Sequence, residues 1–222
     1  MRKDCGFRIA DFGFVVVAAL LLFPTSVWAQ TYAIRNARIV TVSGATIPNG
    51  HILIQDGKIA AVGTNIPIPS SAKVIDAKGL TAYPGMIDPH TTMGLEEIDS
   101  IAGTLDTSEL GDLNPHMKAS TAVNPQSEHV AITRTNGITT VVSAPQGGLF
   151  AGQTAVVNLN GWVVKDMLLK DSAGMVINFP RDVNLAANAT ERQKRDAEDA
   201  RKKRIDLLKQ TLRDAQAYAK LI

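Results

Sequence analysis

The chain has 222 residues, of which 45% are hydrophobic and 20% are charged, and its formal net charge is +2. This balance excludes a disordered or collagen-like chain and does not indicate a nucleic-acid-binding surface.

The first 29 residues have the features of an export signal. Basic residues precede the apolar run Phe12–Phe23, which at about twelve residues is too short to span a bilayer. Val27-Trp28-Ala29 then offers the small residues that a signal peptidase requires. We therefore expect cleavage before Gln30, a periplasmic or extracellular mature protein, and no stable membrane association. The alternative is an uncleaved membrane anchor.

Cys5 is the only cysteine, and it lies within the predicted signal. The mature chain can therefore form no disulfide, and any metal would have to be bound by His, Asp or Glu.

Residues 30–83 show short strands separated by turns. Ala33–Val40 alternates between apolar and polar residues, which is the period of a half-buried strand. The strands His51–Gln55 and Lys58–Val62 flank Asp56-Gly57, the pair preferred in a tight type I′ hairpin.

A different pattern follows. The apolar run Gly85–Ile87 leads directly into Asp88, Pro89 and His90, as when a buried parallel strand ends at a functional edge. We expect a helix to start at Asn124-Pro125 and to stop at Gly137, with a β-branched strand over 138–144. Strand, helix and strand in this order predict a βαβ unit in a parallel sheet.

These residues carry a resemblance to a known family. Pro84-Gly85-Met86-Ile87-Asp88-Pro89-His90-Thr91-Thr92 resembles the first barrel strand of the amidohydrolase superfamily, Pro-Gly-(Met/Leu/Phe)-Ile-Asp-x-His-x-His, with Thr92 at the second histidine. Asn136–Val141 is similar to the second barrel strand of that superfamily. Residues 146–180 resemble exported, imidazolonepropionase-like amidohydrolases.

The resemblance implies an α/β fold. A small β-sandwich, the composite domain, would occupy residues 30–83, and residues 84–222 would form the first βα units of a truncated TIM-like (β/α)8 barrel that ends in a long helix. It also implies metal-dependent hydrolysis of a C–N bond in a small amide or cyclic amide.

In that family, histidines at the end of the first strand hold a divalent metal, usually zinc. His90 matches one of them and is the single predicted metal ligand; no catalytic or cofactor-binding residue is assigned. Residues two apart on a strand point to the same side, so we expect Thr92 to face the same way as His90. Its neutral hydroxyl is a poor zinc ligand beside imidazole.

Several other segments have competing interpretations. The acidic connection from Glu96 to Pro115 would be an active-site lid or an oxygen-ligand cation site, or, as we favour, a solvated loop. The glycine-rich segment Pro145–Gln153 would be a phosphate cradle or, more in keeping with its sequence, a mobile loop at the barrel mouth. We expect a hairpin next, with a turn at Asn160-Gly161, a strand over 162–164 and a later strand over 174–179. His51 and His129 are predicted to be surface residues, and His116 has no partner at ligand spacing.

The C-terminal segment predicts one long helix. Thr190 and Gln193 form a capping box, and apolar residues follow at helical spacing: Ile205, Leu208, Leu212, Ala215 and Ala219. The basic run Arg201–Arg204 is flanked by acidic residues, which favours a solvated face over a nucleic-acid patch.

Three hypotheses follow. The chain is the N-terminal part of an exported amidohydrolase-like protein, or belongs to a catalytically inactive relative, or is a non-enzymatic binding or structural module. The expected partner is a small amide, with no nucleic acid, and homo-oligomers are possible.

Overall fold

The computed structural model describes residues 30–182, 185–186 and 188–221; the predicted signal peptide lies outside the described residues. The chain separates into two compact units between Pro84 and Gly85. Within the described ranges, no helix combines the length and the apolar character that a membrane span requires.

The N-terminal unit is a five-stranded mixed sheet. Its strands are β1 (Tyr32–Ile39), β2 (Ile47–Gln55), β3 (Lys58–Gly63), β4 (Lys73–Asp76) and β5 (Thr81–Ala82). The order is β3-β2-β1-β4, with β5 also pairing with β1; β4 and β5 run parallel to β1 and the other pairs are antiparallel. The described residues therefore supply one layer of the predicted sandwich, with Ala37, Ile39 and Ala77 in its core.

The β2–β3 turn confirms the hairpin prediction. Asp56 and Gly57 have φ angles of 51° and 70°, and Gln55 pairs directly with Lys58. A type I′ turn needs positive φ at both central residues, which Asp followed by Gly adopts readily.

The second unit contains β6 (Met86–Thr91), α1 (Glu128–Thr135), β7 (Ile138–Ser143), β8 (Phe150–Asn158), α2 (Val164–Met167), β9 (Leu168–Ile177) and α3 (Glu191–Ala219). Its sheet order is β6-β7-β8-β9. Because β6 and β7 are parallel and α1 connects them, the predicted βαβ unit is confirmed. Val141, Leu159 and Met167 lie in the main core.

Helix α1 starts later than predicted, at Glu128. The Asn124 side chain does not cap the helix; its Oδ1 accepts a hydrogen bond from the Gln126 backbone N–H at 3.0 Å. This short-range bond stabilises a turn before the helix. Asparagine side chains form such turns as an alternative to capping a helix.

The region after β7 differs most from the prediction. β8 begins at Phe150, inside the glycine-rich segment predicted to be a mobile loop, and Ala151 is fully buried. The predicted strand over 162–164 is wrong, because α2 follows and β9 starts only at Leu168. Gly161 packs so closely on Met167 that a Cβ would lie 2.5 Å from the Met167 Cγ. Tertiary packing therefore overrides the local hairpin signal.

Helix α3 confirms the predicted capping box: the Thr190 side chain accepts from the Gln193 backbone N–H. Leu208 is buried against Leu149 and Phe150, whereas Leu212 is 44% exposed. The predicted apolar face is therefore buried only near the middle of α3. The α/β fold class, with a partial barrel and a long C-terminal helix, is confirmed.

Candidate functional site

The candidate site lies at the carboxyl end of β6. In open α/β sheets and barrels, ligands bind at the carboxyl ends of parallel strands because the loops there vary without disturbing the core. His90 is the penultimate residue of β6 and is exposed to solvent. Its backbone N–H donates to Asp88 Oδ1 at 3.1 Å. The aspartate thereby shapes the backbone that carries the histidine.

A register irregularity interrupts β6 at this point. Asp88 pairs with Val141, but Thr91, three residues later, pairs with Ser143, only two residues later on β7. One extra residue therefore lies on β6 between these pairs, where Pro89 has no N–H to donate. Such bulges bend a strand and redirect its side chains.

Thr92 lies beyond β6, which ends at Thr91, so the alternation on which the same-face expectation rests does not extend to it. Thr92 follows the end of β6, is half-buried, and its Oγ1 donates to Glu96 Oε2 at 3.2 Å. The hydroxyl is thus hydrogen-bonded to the acidic connection that starts at Glu96.

Glu97 holds this segment against α1. Its carboxylate accepts hydrogen bonds from Asn124 Nδ2 at 3.0 Å and from the buried Ser127 Oγ at 2.9 Å. Its carbonyl oxygen lies 3.0 Å from His129 Nε2. His129 is exposed, as predicted, and it is hydrogen-bonded to this loop.

These groups surround an open pocket of about 270 Å³. Its lining comprises Thr91, Thr92, Met93, Glu96, Glu97, Asp99 and His129, and does not include His90. A hydrogen bond with the Asp99 carboxyl raises the pKa of Glu96, and the hydrogen bond from Thr92 opposes that rise. The pocket is acidic, and at least part of the acidic connection is more ordered than a freely solvated loop.

A catalytic zinc requires about three protein ligands. In residues 30–182, 185–186 and 188–221, no three His, Asp, Glu or Cys side chains converge on a point that could hold a metal ion. His90 is a lone imidazole, and Thr92 is directed elsewhere. The described residues by themselves therefore do not fit the metal site of the resembled family.

The other candidates are distributed over the fold. His51 is half-buried, and its Nδ1 accepts from the Asn36 backbone N–H at 3.2 Å, while His116 is exposed. In the basic run, Arg204 pairs with Asp112 at 3.0 Å and Arg201 pairs with Asp182 at 3.0 Å. These two arginines therefore attach α3 to the unit.

One polar cluster was not predicted. Asp171 on β9 accepts hydrogen bonds from Lys118 and from the buried Ser120, and these bonds, with that of Lys118 the larger cause, hold the pKa of Asp171 below its ordinary value. Lys118 and Asp171 are 53 residues apart in sequence. No local pattern connects them, so sequence reasoning had no signal for this pair.

Comparison with known proteins gave matches to parts of the chain. A D-hydantoinase of Geobacillus stearothermophilus is 48% identical over 66 residues, which is 30% of this chain and 13% of the relative. A dihydroorotase of Elusimicrobium minutum is 48% identical over 60 residues, or 27% of this chain and 14% of the relative. An imidazolonepropionase of a Geobacillus species is 38% identical over 80 residues, covering 26% and 19%. No family model matches.

Among solved structures, an amidohydrolase from Thermotoga maritima superposes with a TM-score of 0.70 at 25% sequence identity. The match covers 85% of this chain and 48% of that structure. The chain thus spans about half of this structure, and its matches span less than a fifth of each of these three curated relatives.

Proposed function

We propose that the protein acts in the hydrolysis of a C–N bond in a small amide or cyclic amide, because parts of the chain are similar to a D-hydantoinase, a dihydroorotase and an amidohydrolase structure. The observation that carries the proposal is the position of His90, at the carboxyl end of the first strand of a parallel βαβ unit. The similarity to the Thermotoga amidohydrolase extends over the same fold.

The proposal assigns His90 a role as metal ligand, with zinc as the expected ion. Since the described residues do not complete such a site, further ligands would have to come from elsewhere in a complete amidohydrolase fold. The chain accordingly contributes the composite sheet and the first barrel strands of that fold. We assign no catalytic residue among the described side chains.

The test is ring opening of cyclic amides of the kinds named by the relatives: a hydantoin, dihydroorotate and imidazolonepropionate. Turnover is measured with zinc, manganese or cobalt added, for the unmodified protein, His90→Ala and His116→Ala. We expect His90→Ala to lower kcat/KM by about 10-fold or more, since changes around a metal site that do not remove a ligand already cost 10- to 100-fold. His116→Ala is the matched control, because His116 is exposed like His90 but does not lie on β6.

Equal activity of the two variants would contradict the assignment of His90, and no turnover with any substrate would contradict the hydrolase proposal. In the second case, a specific observation favours a catalytically inactive relative: the Thr92 hydroxyl is engaged by Glu96. Such a protein would bind the same cyclic amides in calorimetry without opening the ring.

We also propose that the protein is exported to the periplasm or beyond the cell, with cleavage before Gln30. The support is the basic start, the short apolar run and the small residues before that position. Intact-mass analysis of the secreted product should give a chain that begins at Gln30. A membrane-bound product that retains Met1 would contradict this proposal.

A further inference from the structure

We propose that Thr92 is a positioning residue for the acidic segment 96–105, and that the end of β6 presents one potential metal ligand, His90, where the resembled family has a pair. The inference concerns local order and metal affinity, so it does not depend on the hydrolase proposal being correct.

The geometry at the end of β6 concerns residues 90 and 92. On a regular strand, residues 90 and 92 would share a face. Here β6 ends at Thr91, so Thr92 lies beyond the strand and its direction does not follow from the alternation. Thr92 lines the acidic pocket, and His90 does not.

Thr92 holds Glu96 by a hydrogen bond. Its bond to Glu96 Oε2 joins the end of β6 to a residue whose backbone pairs with Leu105 in an isolated antiparallel bridge. The Asp106 N–H donates to the Leu95 carbonyl at 2.8 Å, which closes the same loop. Thr92 therefore holds the residue at which the two ends of segment 96–105 pair with each other.

The adjacent residue, Glu97, is held separately, because its carboxylate accepts hydrogen bonds from Asn124 and Ser127. Glu96 and Glu97 consequently attach the segment at two independent points, one at β6 and one before α1. Loss of the Thr92 hydroxyl releases the first point only, so we expect local loosening with the fold retained.

Hydrogen exchange measured by mass spectrometry tests the positioning role. Thr92→Val removes the donor and keeps the shape, and Thr92→Ser is the matched control that keeps the hydroxyl. We expect exchange over 96–105 to be about 2- to 10-fold faster in Thr92→Val, the factor that corresponds to the net loss of one hydrogen bond. Thr92→Ser should exchange like the unmodified protein. Unchanged exchange in Thr92→Val would overturn the role.

Zinc titration by calorimetry tests the second half of the proposal. Thr92→His restores the sequence pattern His-x-His, yet we expect His90→Ala, added to it, to leave its zinc affinity unchanged, because the new imidazole would lie on the pocket side, away from His90. The positive control is the pair Arg192→His with Asp196→His on α3, where two exposed side chains one helical turn apart already approach to 3.8 Å.

We expect the control pair to bind zinc about 10-fold or more tightly than the unmodified chain, since two imidazoles can bind together. Should Thr92→His reach the affinity of the control pair and lose it when His90→Ala is added, residues 90 and 92 would share a metal-facing side and the proposal would be overturned. The exchange experiment with Thr92→Ser and Thr92→Val remains decisive even if the histidine variant does not fold.

Discussion

At the scale of single residues, Gly85, just before β6, is the most closely packed glycine among the described residues. A Cβ built on Gly85 would lie 2.2 Å from Thr139 Oγ1 and 2.4 Å from its Cγ2, well inside the contact distance of real side chains. Gly85 therefore permits the close approach of the chain to the beginning of β7, just before the strand that carries His90.

We predict that Gly85→Ala destabilises the protein by about 1–3 kcal/mol, the usual cost of overpacking, unless Thr139 changes rotamer. Gly103→Ala is the control, because nothing lies within 4 Å of its Cβ position. Denaturant unfolding of both variants measures the difference. Equal stability of the two would show that Thr139 yields without cost.

At the scale of elements, Asp171 connects β9 to the short 3-10 turn Ala119–Thr121. Lys118 and Ser120 both stabilise the charged carboxylate, which lowers its pKa from the ordinary value of 3.8. A depressed folded-state pKa contributes stability that is present above the unfolded-state pKa and is lost as the pH falls through the folded-state pKa.

We therefore predict that Asp171→Asn lowers Tm at pH 7 and that its deficit relative to the unmodified protein shrinks as the pH falls below about 4. Thermal unfolding of both proteins from pH 7 to pH 3 measures the deficit. Asp166→Asn is the control, since the side chain of Asp166 is exposed and outside this cluster. A deficit that stayed constant across this range would contradict the ionic origin of the stabilisation.

Helix α3 is attached mainly through its middle turns. Leu208 is 7% exposed and contacts Leu149 and Phe150, whereas Leu212, on the same face one turn later, is 44% exposed. We predict that Leu208→Ala weakens the attachment by about 2 kcal/mol or more and that Leu212→Ala has a much smaller effect. Limited proteolysis within α3 should be faster only in Leu208→Ala; equal rates in both variants would refute this mode of attachment.

At the scale of the whole molecule, β6 has β7 as its one strand partner among the described residues. Parallel strands are normally covered on both faces, yet Met86 is 54% exposed and Ile87 is 66% exposed. Unpaired strand edges with apolar side chains promote association with another chain.

We predict that the 222-residue chain self-associates as its concentration rises. Ile87→Lys should reduce the association, because a charge at an edge strand opposes pairing. Ile132→Lys is the control, since Ile132 is 59% exposed and lies on α1, away from the strand edge. Sedimentation of all three proteins measures the effect, and a monodisperse unmodified monomer would contradict the prediction.

The amino-acid sequence by itself determined the features that depend on neighbours in the chain. The Asp56-Gly57 turn and the Thr190 capping box are confirmed where they were expected. The β6–α1–β7 unit is confirmed as well, with α1 starting at Glu128, later than expected. The turn and the cap depend on residues a few positions apart, and the strands and the helix on apolar spacing within each segment, so the sequence is enough to predict them.

Only the tertiary structure decided the features that depend on distant partners. The bulge near the end of β6 is a property of the pairing between β6 and β7, and no single strand contains it. The Lys118–Asp171 pair likewise arises from a contact between segments far apart in the chain. A period-2 pattern predicts which way a side chain points only within a strand, and β6 ends at Thr91, so the hydrogen bond with Glu96 decides the direction of Thr92.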